Sequence, residues 1–242
     1  MPPRLYLDAP LREGENIDLP TDVARHVQVL RLQPGAPLTL FNGQGGEWAA
    51  EVLRMSGRQQ VAVRIGSPQP ASRELTRRVT LALGMPANER MDALVEKATE
   101  LGVSAIQPLQ CARSVLKLSG ERAERRQAHW QAVAVAAAEQ SGRTQVPQVA
   151  AVRNLADWLG RLEAGAARHV LSLADDAVPL AGLAATSAAE DWLMLSGPEG
   201  GLDDAEEALA RQRSFAPVSL GPRVLRADTA PLAALVLLGA LA

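Results

Sequence analysis

The segment best suited to ligand chemistry is glycine-rich and follows a short apolar run. Residues 196–201 read Ser-Gly-Pro-Glu-Gly-Gly, and residues 192–195 are apolar. Glycine lets a backbone approach a ligand closely, because it carries no Cβ. Asp203 and Glu206 have the spacing of a capping box, which predicts a helix directly after the segment. The pattern indicates a strand-to-helix loop that either binds a ligand or makes a tight structural turn.

The same segment argues against two common nucleotide sites. It contains neither G-x-G-x-x-G nor G-x-x-x-x-G-K-S/T, the fingerprints of dinucleotide-binding and P-loop sites. Its glutamate, Glu199, would also repel a phosphate group. A nucleotide-dependent oxidoreductase is therefore disfavoured.

A second segment of this kind lies near the C-terminus. Residues 220–226 read Leu-Gly-Pro-Arg-Val-Leu-Arg, and Asp228 or Thr229 can cap the helix that follows. Ligands of open α/β sheets bind beyond the carboxyl ends of the strands, so two such loops can converge on one pocket. The final helix, residues 231–242, is apolar on every side. This predicts burial, either in a dimer interface or in the core of the chain itself.

The elements that must position these segments alternate between strand and helix from residue 78 onward. Apolar runs predict strands at residues 79–83, 103–109, 170–173, 192–195 and 218–220. Helices are predicted to begin at Asn88 and Asn154, and another to span residues 121–139. Short apolar runs suit strands buried on both faces of a parallel sheet. Residues 73–242 are therefore predicted to form an α/β domain with a mostly parallel sheet.

Residues 1–70 have a different pattern, typical of a small β domain. Short strand-like runs lie at residues 4–7, 38–41, 48–53 and 61–65, with one helix over residues 22–30. Residues 42–46, Asn-Gly-Gln-Gly-Gly, tolerate positive φ and predict a hairpin turn. Many short strands in so few residues favour a small barrel. Residues 67–72 contain two prolines and no periodicity, which predicts a linker.

The composition is that of a globular protein. Hydrophobic residues make up 47% and charged residues 21%, and the net charge of −2 does not by itself indicate nucleic acid. Residues 73–145 hold eleven basic and eight acidic residues. Of the 25 basic residues, 23 are arginine. Arginine binds phosphate with a bidentate fork, which suits RNA, but a GC-rich genome explains the same bias.

The composition also excludes several classes of site. The single cysteine, Cys111, cannot form an internal disulfide, and with three histidines it makes a zinc site unexpected, so we predict no metal. We find no signal-peptide pattern. The longest apolar stretch is too short to cross a bilayer, which takes about 20 residues. A cytoplasmic protein that does not enter a membrane is expected.

Five motifs in chain order resemble those of the RsmE-type ribosomal RNA uridine-N3 methyltransferases. They are residues 97–103 (Lys-Ala-Thr-Glu-Leu-Gly-Val), 111–114 (Cys-Ala-Arg-Ser), 139–144 (Glu-Gln-Ser-Gly-Arg-Thr), 197–201 and 220–226. Residues 4–6 and 26–31 are also similar to the family. Asp228 stands where the family's pattern has Glu, and this departure leaves the expected activity class unchanged.

The resemblance implies a fold, a reaction and partners. Residues 1–70 should form a PUA-like β-barrel that binds RNA, and residues 73–242 a SPOUT methyltransferase domain with a C-terminal trefoil knot. The implied enzyme is a homodimer that holds S-adenosylmethionine in the knot. The implied reaction methylates N3 of one uridine in 16S rRNA, as free RNA or in the 30S subunit.

The resemblance also assigns site residues. The expected cofactor contacts are Leu173, Ser196, Gly197, Pro198, Glu199, Gly200, Gly201, Leu220, Gly221, Val224, Leu225 and Arg226. Arg226, with Arg143 second, is expected to stabilise negative charge on the uracil. Asp228 or Glu139 could accept the N3 proton. The alternatives are helix capping for Asp228 and a structural ion pair with an arginine for Glu139.

N3 lies on the Watson–Crick edge of the base, so the target uridine must be unpaired or flipped. The RNA-binding candidates are Arg4, Arg25, Arg31, Arg113, Ser114, Arg125 and Arg126. The alternative for each of them is a solvated surface residue without a role in binding. Two further readings stay open: a SPOUT methyltransferase acting on tRNA or 23S rRNA, and a non-enzymatic RNA-binding assembly factor.

Overall fold

The computed structural model describes residues 2–56, 60–87, 89–163 and 165–241 and has two compact units. Unit 1 comprises Met1–Glu74 and Ala138–Val146, and unit 2 comprises Leu75–Ala137 and Pro147–Ala242. No sequence signal pointed to the inclusion of Ala138–Val146 in unit 1. The domain boundaries expected from the sequence, 1–70 and 73–242, stay a prediction. The predicted helix cap Asn88 lies outside the described residues.

Unit 1 is built on one five-stranded sheet with the strand order β1-β3-β4-β5-β2. Its elements are β1 (Arg4–Tyr6), β2 (Asn16–Asp18), α1 (Thr21–Val29), β3 (Pro37–Phe41), β4 (Glu47–Ser56) and β5 (Gln60–Gln69). Strands β1 and β3 are parallel, and the other pairs are antiparallel. The helix and strands expected in this region are confirmed within a few residues.

The predicted hairpin turn joins β3 to β4. Gly43, Gly45 and Gly46 have φ angles of 77°, 96° and 82°, which side chains with a Cβ rarely adopt. Buried residues from β1, β3, β4, β5 and α1, among them Leu40 and Val52, form one apolar cluster, and the partly buried Ile17 of β2 packs against it. The sheet therefore has one face covered by its own side chains and helix.

Unit 2 holds an eight-stranded sheet in which all pairs are parallel. Its strands are β6 (Arg78–Gly84), β7 (Ala105–Gln110), β8 (Gln148–Val149), β9 (Arg153–Asn154), β10 (Ala167–Leu171), β11 (Val178–Pro179), β12 (Asp191–Ser196) and β13 (Ala216–Ser219). Its helices are α2 (Glu89–Glu100), α3 (Gly120–Ser141), α4 (Leu155–Gly160), α5 (Leu180–Thr186), α6 (Asp204–Gln212) and α7 (Thr229–Ala240). The last residues of α3 belong to unit 1. The predicted parallel α/β class is confirmed.

The sheet of unit 2 is buried on both faces, as its apolar runs indicated. Along β12, Trp192 and Met194 enter one apolar cluster, whereas Leu193 and Leu195 enter another. Strand side chains alternate between faces, so the two clusters lie on opposite sides of the sheet. Helix α7 packs its buried residues into the first cluster, but Val236 on the same helix is 48% exposed. The expectation that α7 is buried all round therefore holds only in part within one chain.

The strand order of unit 2, β11-β13-β10-β12-β6-β7-β8, places β13 between two strands that are consecutive in the chain. Val218 of β13 pairs with Leu171 on one side and with Val178 on the other. Residues 172–177 must therefore cross from one side of β13 to the other. We call residues 172–177 the crossing segment. A trefoil knot would need such a crossing, and the knot itself stays a prediction.

Candidate functional site

A cavity of about 740 Å³ lies in unit 2 at the carboxyl ends of β10, β12 and β13. Three strand-end loops supply most of its lining: residues 171–173, 196–202 and 220–227. Parallel strands present their carboxyl ends at one edge, which is where ligands bind in open α/β sheets. The volume is in the range of small-molecule sites, about 300–1,000 Å³. The two glycine segments that the sequence analysis singled out are therefore brought together.

Residues 197–201, here called the glycine loop, fold back on themselves. The amide of Gly201 donates a hydrogen bond of 2.8 Å to the carbonyl of Pro198, and Gly201 has a φ of 71°. A Cβ on Gly197 would lie 2.8 Å from the amide nitrogen of Leu202 and 2.9 Å from the carbonyl carbon of Gly201. Only glycine fits these positions, and the loop leaves backbone peptide groups along the cavity.

The last residue of β6, Gly84, allows the glycine loop to pack against the neighbouring strand. A Cβ there would lie 2.5 Å from Cδ and 2.6 Å from the nitrogen of Pro198. Since real Cβ atoms do not approach other atoms so closely, the loop can occupy this position only when residue 84 is glycine. The sequence analysis missed Gly84, because nothing local to β6 shows what lies across the sheet.

Contacts from the start of α2 and from the loop after β7 hold the glycine loop in place. Glu199 accepts a hydrogen bond of 2.9 Å from the amide of Ala87, and its carboxylate lies 3.6 Å from Arg90. Arg113 donates to the carbonyls of Gly200, at 3.0 Å, and Leu202, at 3.2 Å. The loop is therefore held from both sides before any ligand binds, which lowers the ordering cost of binding.

The capping box at the start of α6 is confirmed and has a second role. Asp203 accepts from the amide of Glu206, and Glu206 accepts from the amide of Asp203. The other carboxylate oxygen of Glu206 accepts a hydrogen bond of 2.7 Å from the amide of Ala112. One carboxylate thus joins the helix start to the loop that follows β7.

The remaining lining combines apolar and charged side chains. Leu173 is 69% exposed and Val224 is 78% exposed, so both side chains present apolar surface to the cavity. The charged residues of the lining are Arg90, Arg113, Arg223, Arg226, Glu199 and Glu207. The cavity therefore suits a ligand with one apolar part and one charged part.

Asp228 stands beside the cavity at the N-cap position of α7, yet its side chain makes no capping hydrogen bond to the described residues. Its Oδ1 atom is buried and, within the described part of the chain, has no hydrogen-bond partner. The carbonyl of Arg226 instead accepts from the amides of Thr229 and Ala230, both at 2.9 Å. The capping alternative for Asp228 is therefore not what the structure shows.

Comparison with protein families matches both units. Residues 73–239 match the model of an RNA methyltransferase domain, and residues 19–66 match that of an RNA methyltransferase PUA domain. The first match alone covers more than half of the chain. The chain belongs to the RNA methyltransferase family. The PUA match also confirms the PUA-like character predicted for the N-terminal part.

Individual members of the family are similar over most of the chain. Ribosomal RNA small subunit methyltransferase E of Synechocystis sp. is 35% identical over 217 residues, which are 88% of this chain and 69% of that protein. The protein of the same name from Bacillus subtilis is 30% identical over 231 residues, 93% of this chain and 90% of that one.

Solved structures with bound cofactor have the same fold. The Neisseria gonorrhoeae ribosomal RNA small subunit methyltransferase E bound to S-adenosyl methionine matches with a TM-score of 0.90 and 35% identity, over 98% of this chain and 96% of that one. A putative methyltransferase of Legionella pneumophila in complex with the same cofactor matches with a TM-score of 0.91 and 33% identity, over 99% and 98%.

In this chain, all the residues predicted to contact the cofactor line the cavity. Their role in holding a cofactor stays a prediction. Gly200 differs from expectation in one respect. A Cβ on Gly200 would lie 3.0 Å from Cβ of Arg113. Arg113 therefore restricts the side chain that position 200 can carry.

The catalytic candidates divide between the units, with Arg226 and Asp228 in unit 2 and Glu139 and Arg143 in unit 1. Arg143 is 3% exposed, and its guanidinium group bonds to Glu74. Glu139 accepts a hydrogen bond of 2.8 Å from the amide of Tyr6, and burial raises its pKa. His26 lies 3.7 Å from the same carboxylate. Both residues of unit 1 thus have structural partners, and their catalytic roles stay predictions.

The RNA-binding candidates fall into two groups. Arg25, Arg31 and Arg125 are exposed, and Arg126 is half-buried. Arg4, by contrast, bonds to Glu47 and to the carbonyl of Arg143, and its guanidinium carbon lies 4.9 Å from the ring centre of Phe41. This placement favours a structural role for Arg4.

Two candidates from the loop after β7 also have structural contacts. Ser114 is buried, and its hydroxyl accepts a hydrogen bond of 3.0 Å from the amide of Cys111. Arg113 supports the glycine loop from the cavity lining. The Arg113 contact was not expected from the sequence, because it depends on which loops the sheet brings together, whereas the Ser114 bond lies within one loop.

Two further findings concern metals and membranes. Among the residues described, no cluster of three or more His, Cys, Asp and Glu side chains could hold a metal ion. In the same part of the chain, no helix has both the length and the apolar character to cross a bilayer.

Proposed function

We propose that the chain transfers a methyl group from S-adenosylmethionine to N3 of a uridine in 16S rRNA. The observation that carries the proposal is the cavity formed by three strand-end loops, in a chain that belongs to the RNA methyltransferase family. Relatives named for the methylation of small-subunit ribosomal RNA support the substrate. Related structures with bound S-adenosylmethionine support the cofactor.

The cavity fits this cofactor in size and in chemistry. Backbone peptide groups of the glycine loop can bond to polar atoms of the nucleoside, because Gly197 and Gly201 leave them uncovered. Leu173 and Val224 supply apolar surface for the adenine ring. S-adenosylmethionine supplies an already activated, electrophilic methyl group. The protein therefore mainly has to position the cofactor and the uridine and to exclude water.

Two residues of unit 2 are proposed to act on the uracil. Arg226 has an exposed side chain on the cavity lining, where its positive charge can stabilise the anion left when N3 loses its proton. Asp228 has a buried carboxylate oxygen without a protein partner in the described chain, so it can take up that proton. Asp228 is preferred to Glu139, whose carboxylate already holds the amide of Tyr6.

The proposal is tested by methyl transfer from labelled S-adenosylmethionine to 16S rRNA and to 30S subunits from a strain that lacks the modification. We expect one labelled uridine and a 3-methyluridine product on nucleoside analysis. Label in tRNA or 23S rRNA alone would assign the chain to another substrate. Absence of cofactor binding in calorimetry would indicate an assembly factor without activity.

The role of Asp228 has its own test. Asp228→Asn keeps the size of the side chain but removes the proton acceptor, and should lower kcat about 100-fold, the scale of general-base catalysis. The dissociation constant for S-adenosylmethionine should not change, because Asp228 is not part of the cavity lining in the described chain. A variant with normal kcat would remove Asp228 from the mechanism.

RNA recognition is proposed to use exposed arginines of both units. Arg25 and Arg31 are exposed on unit 1, and Arg223 and Arg226 are exposed on the loop after β13. Arginine forms bidentate contacts with phosphate.

We also propose that the reaction takes place in the cytoplasm, because its proposed substrate is ribosomal RNA.

Two copies of the chain are proposed to pair through α7. Val236 is 48% exposed, and Leu232 and Leu237 are only partly buried, so the helix leaves apolar surface uncovered in one chain. Light scattering after gel filtration should give the mass of a dimer, and Val236→Glu should give a monomer. The control Val29→Glu changes an exposed valine of unit 1 and should remain dimeric. A monomeric parent protein would contradict the pairing.

A further inference from the structure

The crossing segment, residues 172–177, contributes one wall of the cavity. Its Leu173 lines the cavity with a side chain that is 69% exposed. The backbone on either side of Leu173 is anchored: the amide of Ser172 donates to the carbonyl of Val218 at 3.0 Å, and the amide of Ala177 donates to the carbonyl of Ala174 at 3.0 Å. An exposed leucine keeps one position only if the backbone that carries it is held.

Ser172 ties the start of the crossing segment to α6. Its hydroxyl donates a hydrogen bond of 2.9 Å to Oε1 of Glu207 and accepts one of 3.1 Å from the amide of Ala174. Both Ser172 and Glu207 line the cavity. The two bonds enclose Leu173 between fixed neighbours, so they limit where its side chain can point.

Arg211 ties the far part of the crossing segment to the same helix. It donates to Oε1 of Glu207 at 2.9 Å and makes two bonds to Asp176, at 2.6 and 3.0 Å. Glu207 and Arg211 are one turn apart on α6, so they lie on the same side of the helix. The hydrogen bond from Arg211 holds the pKa of Asp176 below its usual value.

We propose that Ser172, Glu207, Arg211 and Asp176 form a positioning network that fixes the Leu173 wall and thereby sets the affinity for the cofactor. This inference rests on the proposed function, which supplies the ligand. The network acts through Leu173 and the crossing segment. It does not act on the transferred methyl group, so its members are positioning residues.

The sharpest test is Arg211→Met, since Arg211 is not among the cavity-lining residues in the described chain and can act only through its neighbours. Calorimetry should show an increase of about tenfold in the dissociation constant for S-adenosylmethionine, the scale of one charge-assisted hydrogen bond. The same increase is expected for S-adenosylhomocysteine, which lacks the sulfonium charge. The value of kcat at saturating cofactor should stay within twofold of the parent.

Ser172→Ala is the second variant, because it removes one hydroxyl and keeps every charge of the network. This variant should raise the dissociation constants for S-adenosylmethionine and S-adenosylhomocysteine by the same factor. The matched control is Arg78→Met. Arg78 also makes two bonds to one aspartate, Asp191, at 2.6 and 2.7 Å, but at the strand starts of the same sheet. The control should bind both ligands like the parent.

The outcomes separate the network from the proposed function. A parent protein that binds neither ligand refutes the proposed function. A parent that binds, together with folded Arg211→Met and Ser172→Ala variants of unchanged affinity, refutes the network. A loss for S-adenosylmethionine but not for S-adenosylhomocysteine also refutes it, because an effect confined to the ligand with the sulfonium charge cannot come from the position of Leu173, which both ligands would contact. If Arg211→Met melts below the assay temperature, Ser172→Ala decides alone.

Discussion

Gly84 offers a direct test of how the glycine loop is supported. Adding one methyl group in Gly84→Ala would bring the new Cβ to 2.5 Å from Cδ of Pro198, whereas ordinary contact begins at 3.4 Å. The loop must then move by about 0.9 Å, since a strand held by neighbours on both sides cannot yield easily. Overpacking of this kind costs about 1–3 kcal/mol of stability.

The functional effect should exceed the effect on stability. A displacement of about 1 Å in a positioning loop can lower a catalysed rate about 100-fold. We therefore expect Gly84→Ala to fold, to bind S-adenosylmethionine weakly or not at all in calorimetry, and to lose about 100-fold in kcat/KM for methyl transfer to rRNA. Thermal unfolding followed by circular dichroism establishes that the variant is folded.

Gly182→Ala is the matched control. Gly182 lies in α5, and a Cβ there would meet no atom of the described residues within 4 Å. This variant should bind the cofactor normally and gain up to about 1 kcal/mol from the higher helix propensity of alanine. If folded Gly84→Ala binds the cofactor within twofold of the parent, the loop either moves without consequence or does not hold the ligand, and Gly84 is then not a support of the cofactor site.

Three further predictions concern buried groups of unit 2. Arg77 is buried and donates to the carbonyls of Ala184 and Leu238, so Arg77→Met should lower the free energy of unfolding by about 3 kcal/mol in urea titrations. Burial lowers the pKa of His169 from 6.5, so the unfolded chain binds a proton at this imidazole more tightly than the folded chain does, and the free energy of unfolding falls as the pH drops below about 6.5. His169→Gln should flatten this dependence of stability on pH, and an unchanged dependence would contradict the role of His169. Burial raises the pKa of Cys111 to about 12, so its thiol should resist alkylation at pH 8 until the protein unfolds, and rapid reaction of the native protein would be the contrary result.

The sequence by itself determined the features that depend on residues close to one another along the chain. Apolar runs marked the parallel strands, because a strand buried on both faces needs apolar residues in succession. The capping box of α6, the hairpin between β3 and β4 and the two glycine segments were all visible, since each is encoded within a few positions. Their positions at strand ends of an α/β sheet then predicted one pocket for both glycine segments, and the geometry of unit 2 brings them together there.

The tertiary structure decided which of these features touch. Arg113 and the glycine loop are 87 positions apart, and Ser172 and Glu207 are 35 apart. No period or local propensity encodes such pairs, because they depend on the strand order that sets β13 between β10 and β11 and β12 beside β6. For the same reason Arg4, a surface arginine by its pattern, is held by Glu47, and Gly84 proves to be the support of a loop more than 100 residues away. The sequence shows which chemistry a single residue can perform, but the packing of the chain decides which other residue it contacts.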